Sequence, residues 1–248
     1  MRGFRAAIRQ TKISFQILFK STFTMKNIVS LMMAFGCCLG LATAQLSPLS
    51  STGYATEAPV GYWLSSEVVT THAGGALDGM TTYHIYMNML NANDFLSSCS
   101  GDADNPLEIT SSTGSWYNDP GNVSWSSAGV NPAFIAFLPE LAYDSWLTIG
   151  GTDGTNTPSN LGVVEGEVPF TAEFFGGDGN SFVVNDNIGG SWFGLFTDDL
   201  SYPAYAGDDL KVLVAQITSA GTISGTIQVQ VFQEGTQSNE FRDLLPMC

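Results

Sequence analysis

Residues 210–232, LKVLVAQITSAGTISGTIQVQVF, carry the strongest fold signal in this chain. Two β-rich arms, 210–218 and 222–232, flank a short loop with a glycine, and this arrangement predicts a β-hairpin. Apolar and polar residues alternate along the second arm, which predicts a strand with one buried and one wet face. The inward residues are Ile223, Ile227, Val229 and Val231, and the outward residues are Thr222, Ser224, Thr226, Gln228 and Gln230.

Further short β-rich segments, separated by Gly, Asn and Asp turns, precede this hairpin. In the strongest, 81–90, Tyr83, Ile85, Met87 and Met89 share one face. The other predicted strands are 67–71, 94–98, 107–111, 134–137, 141–150, 168–175, 181–184 and 191–196, whereas 139–142 is typical of a single helical turn. Many short strands with Gly-rich joints predict an all-β fold, a single antiparallel β-sandwich that is jelly-roll-like.

The first 44 residues differ from the rest, with six basic residues and no Asp or Glu. Met25-Lys26-Asn27, the apolar run 28–41 and the triplet Ala42-Thr43-Ala44 follow the pattern of a secretory signal peptide. We predict a secreted, extracellular chain that has no membrane span once the signal is removed, because the apolar run is short. The predicted divisions are a signal segment with an N-terminal extension at 1–44, a Ser/Thr/Pro linker at 45–60, the β-sandwich at 61–235 and a C-terminal tail at 236–248.

The 24 residues before Met25 have two interpretations. The favoured one takes Met25 as the true initiator, and the other takes residues 1–24 as a basic, transit-like segment. A lipoprotein is a third alternative, because Cys37 and Cys38 lie in the apolar run. Against it, Phe35 stands where a lipoprotein site needs a small residue.

The predicted mature chain, 45–248, is strongly acidic. It holds only Lys211 and Arg242 as bases against all 23 Asp and Glu, a formal net charge of −21. Nucleic-acid binding needs Lys and Arg to displace phosphate counterions, so a nucleic-acid partner is excluded. Anionic membranes are disfavoured for the same reason. The acids then form a solvated surface or bind divalent cations, and the first is the more common use of surface carboxylates.

Cys99 and Cys248 are the cysteines of the predicted mature chain. Export permits a disulfide between them, but Cys248 is terminal and terminal residues are often loose, so the pairing stays open. Two cysteines do not make a disulfide scaffold. The core must therefore come from apolar burial, for which the chain is long enough.

Four segments carry a resemblance to a known type of domain: 82–86 (TYHIY), 105–107 (NPL), 142–150 (AYDSWLTIG) and 216–231. The chain resembles a secreted β-domain found, often in tandem, in extracellular proteins of marine microbes and microalgae. The resemblance implies an extracellular β-module and supplies no catalytic residues. This chain departs from the pattern by holding a single copy, which puts a polyvalent role in doubt.

Catalytic motifs are scarce in the sequence. The chain has two histidines, His72 in a predicted loop and His84 in a predicted strand, and no G-x-S-x-G elbow. It has no H-E-x-x-H or Cys/His cluster, so zinc is not expected. Asp144 is the most suggestive carboxylate, since its aromatic neighbours Tyr143 and Trp146 can raise a carboxyl pKa. The common alternative is that Asp144 caps a turn or pairs across strands.

Calcium is the predicted cofactor, because it prefers carboxylate, amide and carbonyl oxygens in Gly-containing loops. The candidate ligands are Asp102, Asp104 and Asn105 in one loop, and Asp178, Asn180 and Asp186 in a second. The alternative is that Asp, Asn and Gly simply form turns there. Any such ion would be structural rather than catalytic.

Aromatic side chains provide candidates for ligand binding. Trp116, Tyr117, Trp125 and Trp192, with Asp144 beside them, predict a platform for a sugar ring, and the alternative is burial in the core. Asn122 begins the sequon Asn122-Val123-Ser124, which favours a surface position. The sequence as a whole favours a non-catalytic module that binds an extracellular glycan or protein surface. The alternative is a secreted hydrolase acting on polysaccharide through carboxylates.

Overall fold

β-Strands dominate the part of the chain that the structure describes. The computed structural model describes residues 61–167, 169–175 and 181–247. Its strands are β1 (Trp63–Thr71), β2 (Thr81–Asn88), β3 (Phe95–Gly101), β4 (Leu107–Ser111), β5 (Trp146–Leu147), β6 (Leu161–Val164), β7 (Phe182–Val184), β8 (Gly190–Gly194), β9 (Lys211–Ser219), β10 (Ile223–Phe232) and β11 (Glu240–Pro246). They form two antiparallel sheets, which confirms the predicted all-β sandwich.

Sheet A is a four-stranded sheet in the order β1-β2-β9-β5. β2 pairs along its whole length with β1 on one side and with β9 on the other. β5 adds two residues to the far edge of β9, where Trp146 pairs with Gln216. The predicted strand 141–150 is therefore limited to Trp146–Leu147, because the residues before it turn away in a 3-10 helix, Pro139–Tyr143. That turn confirms the helical turn predicted at 139–142.

Sheet B is built around β10. Thr226 pairs with Glu108 of β4 on one side and with Pro246 of β11 on the other. β3 and β4 pair with successive parts of the same edge of β10. They therefore occupy one strand position of the sheet, which the loop 102–106 interrupts. β8 and β7 share the next strand position, β8 beside β3 and β7 beside β4. The loop 185–189 interrupts this position next to the loop 102–106. β6 pairs with the outer side of β8.

One apolar core lies between the two sheets. Sheet A contributes Ile85, Met87 and Ile217, and sheet B contributes Trp192 and Val229, all completely buried. Removing these side chains from water is the main stabilising term of the fold, about 1.5–3 kcal/mol for each fully buried side chain. The four inward residues predicted on the second arm are buried as expected.

The predicted hairpin between 210–218 and 222–232 is wrong. β9 lies in sheet A and β10 in sheet B, so the chain crosses between the sheets at residues 220–222. Ser112 holds this corner: its N–H donates to the Thr222 carbonyl, and its hydroxyl oxygen accepts the Thr222 N–H. A Cβ at Gly221 would lie 2.4 Å from Ser111 Oγ, so the corner requires glycine. The short loop with Gly is common to hairpins and to such crossings, and the sequence alone does not separate them.

A second layer covers the outer face of sheet A. Val130 and Leu141 pack there against Trp146 and Leu213, and Tyr86 is partly buried against them. This layer consists of irregular chain with 3-10 turns at Ser127–Gly129, Pro132–Phe134 and Pro139–Tyr143. The strand predicted at 134–137 is absent here, because the prolines at 132 and 139 favour turns. β9 is buried on both faces as a result.

Two other predictions are corrected. The segment 168–175 contains a short helix, α1 (Phe170–Phe175), instead of a strand, since Phe170 and Phe174 stand one helical turn apart and are both buried. Within the predicted C-terminal tail 236–248, residues 240–246 form β11, which pairs with β10. Phe241 packs against the core and Leu245 belongs to it, while the charged residues between them face outward.

Several predictions fall on residues outside the described ranges. These are the signal segment 1–44, the linker 45–60, Asp178, Asn180 and Cys248. Cys99 lies within β3, fully buried with a free thiol, and burial raises its pKa. No helix among the described residues is both long and apolar enough to cross a membrane.

Candidate functional site

The two loops that interrupt sheet B lie side by side. A Cβ placed on Gly189 would be 2.7 Å from the carbonyl oxygen of Gly101, which shows how closely they approach. In the first loop, Asp102 Oδ1 accepts the N–H groups of Asp104 and Asn105, each at 2.8 Å. In the second, both oxygens of the Asp186 carboxylate accept main-chain N–H groups.

These carboxylates therefore act as turn formers. Asp102 and Asp186, predicted as calcium ligands, each stabilise the loop in which they stand. Asp104 is exposed, and Asn105 is half-buried beside Asp102. Within residues 61–167, 169–175 and 181–247, no group of three or more His, Cys, Asp or Glu is arranged to hold a metal ion. Calcium binding stays a prediction.

The predicted aromatic platform is not assembled at the surface. Trp116 is 2 % exposed and Trp192 is fully buried. Each indole N–H donates to a main-chain carbonyl, Trp116 to Phe174 and Trp192 to Thr148, both at 2.9 Å. Trp125 is partly buried against the core. The indoles of Trp116 and Trp192 satisfy their polar atoms inside the protein and offer no face to a sugar.

Asp144 lies in a buried polar cluster beneath the second layer of sheet A. It is 1 % exposed, and Asp119 beside it is 5 % exposed. Asp144 Oδ1 accepts the main-chain N–H of Asp119 at 2.6 Å, and Oδ2 accepts the side-chain N–H of Asn122 at 2.7 Å. The Tyr117 hydroxyl donates to Asp119 at 2.6 Å. The cluster thus ties residues 117–122 to the start of β5.

Burial raises the pKa of Asp144 to about 7, and the nearby charge of Asp119 acts in the same direction. The hydrogen bonds from Asp119 and Asn122 favour the charged form and offset only part of that effect. A raised pKa suits a general acid, but Asp144 has almost no exposed surface, so the described structure offers no contact with a polymer substrate.

Asn122 corrects the expectation drawn from the sequon. The residue is fully buried, and its amide nitrogen donates to Asp144. Glycosylation needs that nitrogen at the surface, so the folded arrangement blocks it. The sequon pattern records residue types and not burial, which explains the difference.

The histidines also have structural partners. His84 Nε2 bonds to Gln216 Oε1 at 2.8 Å across the β2–β9 pair, and Nδ1 bonds to the Tyr86 hydroxyl at 3.1 Å. Burial lowers the pKa of His84. His72 Nε2 bonds to the Thr82 hydroxyl at 2.9 Å. His84 therefore acts as a cross-strand partner within sheet A.

A depression of about 300 Å³ opens on the outer face of sheet B. Its polar lining consists of hydroxyl and amide side chains: Ser97, Ser98, Ser191, Gln230 and Gln237. Its apolar lining consists of Phe193, Leu195, Phe196 and Phe232. The set contains no charged side chain, although the chain as a whole carries a formal net charge of −15. A neutral, amphipathic surface therefore lies within an acidic protein.

The lining follows from strand register. Phe193 of β8 pairs with Ser98 of β3, which pairs in turn with Gln230 of β10, so the three stand in one row across the sheet. A bulge in β3 places Ser97 beside this row. The Phe193 ring extends over the neighbouring strand, where a Cβ on Gly162 would be 2.5 Å from Cζ. Glycine at 162 therefore makes room for the ring.

The alternation along 222–232 predicts Gln230 as outward-facing, but no motif in the sequence indicates Phe193 and Ser98 as site residues. Alternation in β8 contains the signal for Phe193, because its neighbour Trp192 is in the core and adjacent residues point to opposite faces. The sequence does not indicate that these residues form a row. Ser98 and Phe193 are 95 positions apart in the chain, and Phe193 and Gln230 are 37 positions apart.

The chain matches no family model, no curated protein and no solved structure. Its resemblance to a secreted β-domain of marine microbes and microalgae stays a prediction. Function must be inferred from the chemistry of the described residues.

Proposed function

We propose that this chain is a secreted, non-catalytic β-sandwich module that binds neutral carbohydrate in the depression on the outer face of sheet B. The observation that supports this most is the lining. Hydroxyl and amide groups surround aromatic rings, and no charged side chain lies among them. Such surfaces suit polyhydroxylated ligands, because Ser and Gln both donate and accept hydrogen bonds.

Phe193 contributes an aromatic ring to the lining of the depression. A sugar ring has apolar C–H faces, and an aromatic face can cover them. In the same row Ser98 Oγ donates to Gln230 Oε1 at 3.5 Å, and Gln230 Nε2 donates to Glu240 at 2.8 Å. A sugar hydroxyl would exchange with these bonds, because Ser and Gln side chains both donate and accept. An anionic polysaccharide is disfavoured by the acidity of the chain.

Hydrolysis by carboxylates is the weaker alternative. Asp144 and Asp119 are the buried acid pair of the described residues, and both are committed to hydrogen bonds beneath the second layer. No observation on the described residues brings a substrate to them. We prefer binding to hydrolysis because the depression is open to solvent, whereas Asp144 and Asp119 are buried.

The proposal is tested with a set of neutral and charged polysaccharides, by pull-down and then by calorimetry with the full chain. We expect binding to one or more neutral polymers. Phe193→Ala should weaken that binding by about tenfold or more, because burying a Phe side chain contributes about 1.5–3 kcal/mol. Gln230→Ala should weaken it less, by the value of a hydrogen bond, about 1 kcal/mol.

Phe134→Ala provides a matched control, since Phe134 is a 52 % exposed ring in the layer over sheet A. It should leave carbohydrate binding unchanged. Binding that survives Phe193→Ala, or binding confined to charged polymers, would contradict the proposed site. Polysaccharide turnover abolished by Asp144→Asn would favour the hydrolase.

A further inference from the structure

The second layer over sheet A presents apolar side chains to solvent. Phe137 is 82 % exposed, Phe134 is 52 % exposed and Leu138 is 45 % exposed. All three lie in residues 131–139, NPAFIAFLP, which we call the apolar turn segment. Val123, 84 % exposed, lies in the adjoining turn, where a Cβ on Gly121 would be 3.3 Å from Leu138 Cδ1. Contiguous exposed apolar groups of this kind mark an interaction surface.

The segment is anchored and not loosely placed. Val130 and Leu141 at its two ends are buried against Trp146 and Leu213, and Ile135 packs against the same cluster. Phe134 and Phe137 therefore point outward from a backbone that is fixed at both ends and in the middle. A surface held in this way loses little conformational entropy when it binds.

Most backbone N–H groups of the segment are bonded within it. The N–H groups of Phe134 and Ile135 donate to Asn131 and Pro132, and those of Phe137 and Leu138 both donate to the Phe134 carbonyl. Ala133 N–H donates to the Asn131 side chain. Such internal bonding matters in an apolar environment, because an unpaired N–H group is costly to move out of water.

The apolar turn segment lies in a stretch of sequence without charge. Residues 120–139 contain no charged side chain, whereas the predicted mature chain has a formal net charge of −21. The two bases of that chain are already used, Lys211 with Glu67 and Arg242 with Glu240. An anionic lipid surface would be repelled, and so would a second copy of the same acidic chain.

We propose that the apolar turn segment docks on a neutral, zwitterionic lipid surface, with Phe134, Phe137 and Leu138 entering the interfacial region. Side chains that project this far from the protein suit a soft, apolar phase that closes around them. Phe and Leu are among the side chains that enter the boundary between headgroups and acyl chains in such contacts. This docking is independent of the carbohydrate proposal, since it uses the opposite outer face of the sandwich.

The test is co-sedimentation of the full chain with phosphatidylcholine vesicles. We expect Phe134→Ser/Phe137→Ser to reduce the partition coefficient by about tenfold or more, given the value of two buried rings. Ile188→Ser/Leu200→Ser is the matched control, because these exposed residues, at 66 % and 61 %, lie outside the segment. The control should bind as the wild type does. Vesicles containing phosphatidylserine should bind all variants more weakly at low salt.

The apolar run 28–41 of the full chain can itself bind lipid, so a second measurement must report contact at the apolar turn segment alone. Phe137→Trp supplies it: brominated phosphatidylcholine should quench the added indole, measured as the difference from the wild type. Lack of quenching, or equal partition of the double Ser variant and the wild type, would overturn the proposal. A wild type that dimerises in size-exclusion chromatography, with a monomeric double Ser variant, would assign the surface to a second copy instead.

Discussion

Single residues of this protein act through partners that are distant in sequence. Asp144 and Ser145 are adjacent, yet they serve different contacts. The Asp144 carboxylate bonds to Asp119 and Asn122, while Ser145 Oγ accepts the main-chain N–H of Thr218 at 3.0 Å. Adjacent side chains in extended chain point apart, so the pair forms no joint catalytic unit. The Asp144 carboxylate is buried among these partners, and its burial raises its pKa.

Asp144 should make stability depend on pH. Its pKa rises from 3.8 to about 7 on folding, because burial disfavours the charged form. The folded chain therefore binds this proton more tightly, and the associated stability is complete below the unfolded pKa and is lost as pH rises through the folded pKa. From about pH 4 to about pH 8, we expect the free energy of unfolding of the wild type to fall by about 2–4 kcal/mol relative to Asp144→Asn.

Urea unfolding of the two proteins across that pH range checks this expectation. Asp208→Asn serves as the control, because Asp208 is exposed. Its stability should follow that of the wild type at every pH. Parallel curves for the wild type and Asp144→Asn would show that Asp144 does not titrate in this way.

At the scale of elements, loops and corners set the form of sheet B. Two neighbouring strand positions of the sheet are interrupted side by side. One interruption lies between Gly101 and Leu107, and the other between Val184 and Gly190. A Cβ at Gly101 would lie 2.3 Å from the backbone nitrogen of Leu107, so the two ends of the first loop lie very close together. Each loop is organised by one aspartate. The strands can therefore pair in register on both sides of the interruption.

Asp186→Ala should destabilise the protein. The Asp186 carboxylate accepts N–H groups of Glu167, Ile188 and Gly189, at 3.0, 2.8 and 2.8 Å. Losing a charged acceptor of several main-chain donors costs about 1–3 kcal/mol. Thermal and urea unfolding measure the change, with Asp104→Ala as the control because Asp104 is exposed in the neighbouring loop.

The same variants test the calcium prediction. If calcium binds at these loops, the melting temperature of the wild type is higher with added calcium than with a chelator, and Asp186→Ala loses that difference. Equal melting temperatures of the wild type under both conditions would reject a calcium site here. In that case the aspartates act as turn formers alone.

At the scale of the whole molecule, the sandwich separates surfaces of different character. Sheet B exposes a neutral depression, the layer over sheet A exposes an apolar segment, and acidic residues occupy much of the remaining surface. A formal net charge of −15 opposes compaction through mutual repulsion. The large core between the sheets must offset that repulsion.

Salt should therefore stabilise the protein. Raising the ionic strength from about 0.01 M to about 0.5 M shortens the screening length from roughly 30 Å to a few Å and weakens repulsion among the carboxylates. We expect the melting temperature to rise by several degrees, in calorimetry at neutral pH. Sodium chloride is the appropriate salt, since sulfate also strengthens apolar burial. A melting temperature that is constant or falls with salt would show that attractive charge pairs outweigh repulsion.

Much of the fold could be predicted, but little of the site. Alternation along 222–232 correctly placed Ile227, Val229 and Val231 inward, because period two follows from strand geometry itself. Gln228, predicted on the wet face, is instead buried, where its side chain accepts a hydrogen bond from Ser100. The aromatic candidates Trp116 and Trp192 lie instead in the core. Residue type does not reveal burial for tryptophan, which combines a large apolar ring with one polar atom that the interior can satisfy.

The sequence by itself determined the fold class, the main strands and the acidity of the chain, since these depend on local periodicity and composition. Only the tertiary structure decided which strands are neighbours. β9 and β10 are separated by three residues yet lie in different sheets, while Phe193 and Ser98 meet across 95 positions. Pairing depends on which apolar faces can be buried together over the whole chain, and that balance of long-range contacts is not present in any local stretch.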